Sequence, residues 1–262
     1  MLLAIDAGNT QTVVGLYEGE DLVDCWRLAT NADRTADEHF ALLSQFFARR
    51  LGVSDANNDI VASDAVDAMV VSSTVPRLTA VLRTMADRYF SFDPVICGPG
   101  IRTGMAIAYE DPKTVGPDRI ANAVGAFDRY GGPTIVVDFG TATTVDATSA
   151  TREYLGGAVL PGIEVSLDAL FLRAAALSWV ELVPPRRVIG KSTAESVQSG
   201  VLYGFAAAVD GLCRRFEAEL GPCTVVSTGG LGDLIAPLSE SIGHHEPWLT
   251  LHGLRLIHQM NR

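Results

Sequence analysis

The chain has 262 residues, enough for one large core or for two domains of about 130 residues each. Hydrophobic residues make up 48% and charged residues 19%, which supplies the apolar mass of a packed interior and excludes a largely disordered chain. The net charge of −11 and pI near 4.8, with no arginine-rich stripe interleaved with aromatics, argue against a nucleic-acid partner. Any phosphate site must then be local, built from backbone amides and a cation.

Cys25, Cys97, Cys213 and Cys223 stand far apart, without metal or redox spacing, and no secretory leader pattern opens the chain. No apolar run reaches the roughly 18 residues of a membrane span. The expectation is a reduced, cytoplasmic protein with no membrane partner.

Met1 to Ile5 is an apolar run ending at Asp6, and Thr12 to Tyr17 and Leu22 to Leu28 read as two more strands broken at Glu18-Gly19-Glu20. Thr35-Ala-Asp-Glu38 has capping-box spacing, and Phe40, Leu43, Phe47 and Leu51 follow at helical intervals up to Gly52. Ser54 to Asp67 is polar and reads as a surface loop before a buried strand at Ala68 to Ser72 and a helix beginning near Pro76. Asp93 to Ile96 is a further short strand, closed by Gly98-Pro99-Gly100.

Gly116-Pro117-Asp118 starts a helix with proline in its first turn, striped by Ile120, Val124 and Phe127 and ending at Gly131-Gly132. Pro133 to Val137 then climbs into Asp138 as a second buried strand. A long helix is expected from Thr193 to Leu220, stopped by Gly221, then a strand from Thr224 to Ser227 leading into Thr228-Gly229-Gly230. His244 to Arg262 is a tail that can close with a helix.

One repeat organises this series. Asp6-Ala-Gly-Asn-Thr-Gln-Thr-Val13 and Asp138-Phe-Gly-Thr-Ala-Thr-Thr-Val145 share Asp, Gly, Thr and Val at the same offsets, each after a buried strand. A strand ending in Asp-x-Gly-x-Thr can form a turn whose bare amides face a phosphate while the carboxylate meets the accompanying cation. Either copy alone is an ordinary hairpin turn. Two copies, with a late Gly-Gly turn, are what the actin, sugar-kinase and Hsp70 superfamily uses to clamp ATP.

Within that superfamily the sequence most resembles the type III pantothenate kinase family. Asp6-Ala-Gly-Asn-Thr10, Gly116-Pro-Asp-Arg119, Asp138-Phe-Gly-Thr-Ala-Thr-Thr144, Gly156-Gly-x-x-x-Pro-Gly162 and Gly190-Lys-Ser-Thr193 match its motifs in order. The resemblance implies an α/β fold of two duplicated actin-like (ribonuclease H-like) lobes, each a mixed sheet flanked by helices, with an ATP cleft between them. The lobes are expected at 1–115 and 116–262, with the last helix able to pack on the first.

The implied reaction is phosphoryl transfer from ATP to pantothenate, giving 4′-phosphopantothenate, the first step toward coenzyme A. By the same resemblance Asp6, Ala7, Gly8, Asn9, Thr10, Gln11, Thr12, Val13 and Thr141 bind ATP. Tyr109, Gly116, Pro117, Asp118, Arg119 and Thr193 bind the acceptor, with Asp118 as catalytic base. Asp138 takes a monovalent cation, potassium or ammonium, beside the magnesium that accompanies ATP, and the protein is a homodimer. Each role has a plainer alternative: Asp118 as a helix N-terminal charge, Arg119 as a surface ion-pair partner, Tyr109 as a half-buried strand residue, Thr193 as a helix cap, and magnesium in place of potassium at Asp138. A regulatory nucleotide-binding protein, or a kinase of another small hydroxylated metabolite, is the alternative function; a pure regulator has no need of Asp118 and Arg119.

Three strings mislead. Gly190-Lys-Ser resembles the end of a Walker A loop, but the first glycine of that motif falls on Pro185. Gly229-Gly-Leu-Gly-Asp-Leu234 lacks the third glycine of a dinucleotide fingerprint and fits an adenosine-side turn. His244-His245-Glu246 are adjacent, so they cannot all face one metal ion, and they read as a solvated loop.

Overall fold

A computed structural model describes residues 1–51, 65–174, 177 and 179–262. The segment expected as a loop from Ser54 lies mostly outside these residues, as does the helix stop expected at Gly52. The chain forms two compact units: Met1–Gly104 with Asp111–Val124 and Thr250–Arg262, and Met105–Glu110 with Gly125–Leu249.

The first unit opens with an antiparallel meander of β1 (Leu2–Ala7), β2 (Gln11–Glu18) and β3 (Asp21–Ala29), followed by helix α1 (Ala36–Leu51). Strand β4 (Ala68–Ser73), helix α2 (Pro76–Phe90) and the short β5 (Val95–Ile96) complete a five-stranded sheet in the order β3-β2-β1-β4-β5. β4 pairs parallel to β1. Alternation along β1 sends Leu3, Ile5 and Ala7 into a core shared with Phe40, Leu43 and Phe47 of α1 and Leu78, Leu82 and Met85 of α2. Asp6 consequently belongs to the opposite face of the sheet.

The capping box forms as its spacing predicts: the Glu38 amide donates to the Thr35 hydroxyl at 3.3 Å, and the Thr35 amide donates to the Glu38 carboxylate at 2.7 Å. Phe40 stacks on Tyr89 with ring centroids 3.8 Å apart, joining α1 to α2.

The second unit repeats the plan. Strands β7 (Thr134–Phe139), β8 (Ala142–Thr148) and β9 (Glu153–Pro161) form the meander, with β10 (Thr224–Thr228) parallel to β7 and β11 (His244–His245) beyond it. The sheet order is β11-β10-β7-β8-β9-β6, where β6 (Ala106–Ile107) adds to the far edge. Without β6 this is the order of the first sheet, strand for strand, so the eight-residue repeat marks a duplicated architecture. Ile135, Val137 and Phe139 enter the core, leaving Asp138 on the other face, as Asp6 is in β1.

Helix α3 (Pro117–Tyr130) precedes β7, and helices α4 (Ile163–Arg173) and α5 (Thr193–Leu220) lie between β9 and β10. Helix α5 has the predicted bounds, with Gly221 at φ 82° after it. The single-turn α6 (Gly232–Ile235) and α7 (Leu249–Gln259) follow. In the first unit α7 lies so close to the start of α3 that a Cβ on Gly253 would collide with the Ala121 carbonyl.

The tail departs from the solvated loop expected at His244-His245-Glu246. The two histidines form β11, pairing with Val226 and Ser227, and Glu246 accepts from the Tyr130 hydroxyl at 2.6 Å and pairs with Arg129. Burial and this carboxylate push the Tyr130 phenol up to about 12.

Candidate active site

The first unit carries Asp6 through Val13 and Gly116 through Arg119. β1 delivers Asp6 to its carboxyl end, and the chain turns back at Gly8, whose amide donates to the Gln11 carbonyl at 3.0 Å. A Cβ at Gly8 would sit 3.1 Å from that carbonyl, a tight approach that a side chain would meet only if the turn gave by a few tenths of an ångström. Thr30, after β3, holds the outer side: its hydroxyl donates to the Gly8 carbonyl at 2.7 Å and its amide to the Thr10 carbonyl at 2.9 Å. With the Gly8 carbonyl turned toward Thr30, the Asn9 N–H of the same planar peptide points away from it. Thr12 is buried and its hydroxyl meets that of Thr30 at 2.8 Å, a bracing role, whereas Asn9, Thr10 and Gln11 are exposed.

Asp6 lies in register with Ser72 of the parallel strand β4. Ser72 is fully buried, and its hydroxyl has no hydrogen-bond partner among the described residues. A buried orphan hydroxyl on the face of a carboxylate fits a site where water or a hydrated cation completes the hydrogen bonding.

Asp118 stands in the first turn of α3, after Gly116 and Pro117. Its carboxylate folds back over the helix start: Oδ1 accepts from the Arg119 amide at 2.9 Å, and a Cβ on Gly116 would collide with that oxygen. The glycine is thus a steric requirement of the carboxylate's position, and the helix N-terminus favours the charged form. The Ile120 amide donates to the Gly116 carbonyl at 3.2 Å, closing the first turn.

Both aspartates bear on Cys97, a buried residue after β5 whose thiol reaches the Pro117 carbonyl at 3.8 Å. Burial first, then the charges of Asp118 and Asp6, push the Cys97 thiol up to about 12. Asp6 and Asp118, far apart in sequence, are thus both within charge reach of one buried thiol. Sequence reasoning missed Ser72 and Cys97, because strand pairing alone places them; the Ser72-Ser73-Thr74 run at the end of a buried strand was the available signal.

The second unit carries Tyr109, Asp138, Thr141 and Thr193. Asp138 faces Thr144 across the β7–β8 ladder and Thr228 of β10 on the other side. Gly229, at φ 94°, passes so close that a Cβ would lie 2.6 Å from the Asp138 carboxylate. At the β7–β8 turn the Gly140 and Thr141 carbonyls point at Gly162, whose amide donates to the Thr141 carbonyl at 3.1 Å. The Thr141 N–H is therefore turned the opposite way, and Thr141 is exposed. Among the described residues no group of three or more His, Cys, Asp or Glu side chains is set to hold a metal ion.

Thr193 is the first residue of α5 and is exposed. The cap is Ser192, whose hydroxyl accepts from the Glu195 amide at 3.2 Å, so capping does not account for Thr193. Gly190 packs against this first turn, where a Cβ would lie 2.6 Å from the Ser196 amide nitrogen. Tyr109 is 39% exposed, just beyond β6.

Behind the Gly229-Gly230 turn stands a support that sequence reasoning passed over. Ser227 Oγ lies 2.9 Å from His245 Nδ1, and His245 Nε2 lies 3.1 Å from Asp233 of α6. Ser227 is fully buried and offers no exposed nucleophile; its contact with His245 Nδ1 braces the turn, whereas His245 Nε2 lies near Asp233 without hydrogen-bond geometry. The histidine was visible only as part of a supposed loop.

Two sheets of one strand order, each ending its central strand in an aspartate and a glycine turn and each flanked by helices, define the two-lobed actin-like class of proteins. A family model described as type III pantothenate kinase matches residues 2–215. Proteins of that name from Anaeromyxobacter sp. (strain Fw109-5) and Myxococcus xanthus are 51% and 49% identical to the chain, the first covering 100% of both chains and the second 100% of this one and 99% of its own. The chain belongs to the type III pantothenate kinase family. Among solved structures, a Campylobacter jejuni protein named for the Baf family of transcriptional activators is similar with a TM-score of 0.60 at 18% identity, covering 99% of this chain and 98% of its own. That likeness is one of fold alone.

Proposed function

We propose that the chain phosphorylates pantothenate with ATP, giving 4′-phosphopantothenate and ADP at the start of coenzyme A synthesis. The observation that carries this reading is Asp118, held over the N-terminus of α3 by Gly116 and the Arg119 amide, in one unit with the Asp6 turn. Phosphoryl transfer asks mainly for an oriented nucleophile and for stabilisation of charge on the transferred group. Asp118 accepts the proton of the acceptor's primary hydroxyl as its oxygen bonds to the γ-phosphorus and ADP departs. The Arg119 guanidinium offers a planar fork for the acceptor's carboxylate. The outward amides at Asn9 and Thr141 suit phosphate oxygens, with no steered approach needed from an acidic surface.

Asp6 and the buried Ser72 hydroxyl fit the hydrated shell of magnesium, which supplies charge neutralisation on the phosphates. Asp138, flanked in register by Thr144 and Thr228, offers a carboxylate beside two threonines, oxygen donors that suit a monovalent cation, potassium or ammonium.

The acceptor side fits a homodimer. Apart from Tyr109, the exposed large hydrophobic side chains among the described residues all lie between Leu155 and Ile189, including Val159, Leu172, Trp179 and Ile189. That concentration suits a surface covered by a second copy. No described helix is long and apolar enough to cross a membrane; the four described cysteines are free, which fits a cytoplasmic enzyme.

The purified protein with ATP, magnesium, potassium and pantothenate is expected to release ADP and phosphopantothenate in equal amounts. ATP binding without either product would overturn the kinase reading and favour a regulatory role.

A further inference from the structure

The turns that end β1 and β7 are braced from behind in different ways. Each takes an amide from the residue that follows the third strand of its meander: Thr30, after β3, donates its N–H to the Thr10 carbonyl at 2.9 Å, and Gly162, after β9, donates to the Thr141 carbonyl at 3.1 Å. Strand register makes these positions equivalent, since Gln11 lies opposite Ala29 and Ala142 opposite Pro161. At the second turn that amide acts without a side chain, because a Cβ on Gly162 would collide with the Thr141 carbonyl. The first turn adds a hydroxyl: Thr30 Oγ donates to the Gly8 carbonyl at 2.7 Å and lies 2.8 Å from the Thr12 hydroxyl.

A hydroxyl has a single proton to give. Thr30 gives its proton to Gly8, so the bond between the two threonines runs from Thr12 to Thr30. The result is a relay from Thr12 through Thr30 to the Gly8 carbonyl, in which each bond polarises the next. Thr12 is buried and Thr30 half-buried, which limits competition from water. A carbonyl drawn on in this way leaves more positive charge on the N–H of its own peptide, that of Asn9, which points to the opposite side.

Asn9 is also where the two turns differ in length. The last paired residues Ala7 and Thr12 enclose Gly8 to Gln11, whereas Phe139 and Thr143 enclose Gly140 to Ala142. With Gly8 matched to Gly140 and Thr10 to Thr141, Asn9 is the additional residue. The relay therefore acts on the amide that the second turn lacks.

We infer that Thr30 is a positioning residue for ATP: its hydroxyl, backed by that of Thr12, fixes and polarises the Asn9 N–H for a phosphate oxygen. The role rests on the reading of the Asp6 to Val13 turn as an ATP site. A hairpin of this kind does not itself require the hydroxyl, since the second unit closes its turn with the amide of a glycine.

ATP affinity by calorimetry in the presence of magnesium, beside steady-state kinetics with pantothenate, tests it. Thr30→Val keeps the side chain's shape and its backbone amide but removes the relay, and is expected to raise the ATP Kd about tenfold with the pantothenate KM within about twofold of wild type. Thr30→Ser, which restores the hydroxyl, is expected to bring the ATP Kd back to within about twofold. Thr12→Val should raise it about threefold, and should raise it no further when added to Thr30→Val, where Thr12 has already lost its acceptor. A wild-type ATP Kd in both Thr30→Val and Thr12→Val, no recovery in Thr30→Ser, or a parallel rise in the pantothenate KM overturns the role; if Thr30→Val does not fold, the ATP Kd of Thr12→Val decides alone. Wild-type protein that binds ATP without phosphorylating pantothenate, with the variants weakened as expected, refutes the pantothenate reading and spares the relay. Phosphorylation of pantothenate with the ATP Kd unchanged in the variants does the reverse.

Discussion

Cys97 is the residue through which Asp6 and Asp118 are felt at one point. Its thiol is buried, and burial first, then the two carboxylate charges, push it up to about 12, so hardly any thiolate forms at neutral pH. A thiol reagent at pH 7.5 is therefore expected to leave Cys97 unmodified in the native protein and to label it on unfolding; rapid native labelling would contradict the burial of this corner. At the same scale, Asp138 carries a prediction about salt. Replacing potassium with sodium, or Asp138 with Ala, is expected to lower kcat at least about tenfold if a monovalent cation sits there. Full activity in sodium alone would remove that assignment.

Elements show which local signals survive folding. The helix over Ala36–Leu51 was legible because Thr35 and Glu38 satisfy each other's end of the chain, and the Thr35 amide, then its hydroxyl, lower the Glu38 carboxyl. Thr35→Ala is expected to cost about 1 kcal/mol in urea unfolding; no change would mean the cap is redundant. Gly253→Ala should cost more, about 2 kcal/mol, because its methyl group must displace the Ala121 carbonyl. The two-residue strands β6 and β11 left no readable period, and Gly156-Gly157 broke the alternation that would have announced β9. The aspartate turns were legible because short-range sterics fix them; Ser72, Cys97 and Thr30 were not, because partners distant in sequence place them.

The whole molecule sums these terms in its response to acid. Burial, reinforced by Arg34 and Arg262 respectively, lowers His39 and His258, and each has a ring nitrogen without a partner among the described residues. A folded value below the unfolded 6.5 means the unfolded chain binds more protons, so stability is present above about pH 6.5 and lost as pH falls. Asp210 acts in the same direction lower down. Burial raises it, but the Ser239 hydroxyl and the Glu240 and Ser241 amides outweigh that and hold it below 3.8, so its contribution is lost as pH falls through the folded value. Urea midpoints should therefore decline from pH 7.5 to pH 5.5, and the paired change His39→Gln and His258→Gln should flatten that slope; a flat wild-type profile would contradict it.

The proposed chemistry depends on the aspartate on α3. The most direct measurement is the turnover of Asp118→Asn with pantothenate and saturating ATP, alongside ATP affinity by calorimetry. A fall in kcat of at least about a hundredfold with ATP affinity unchanged is predicted. Near-normal turnover in this variant would contradict the assignment of Asp118 as the base.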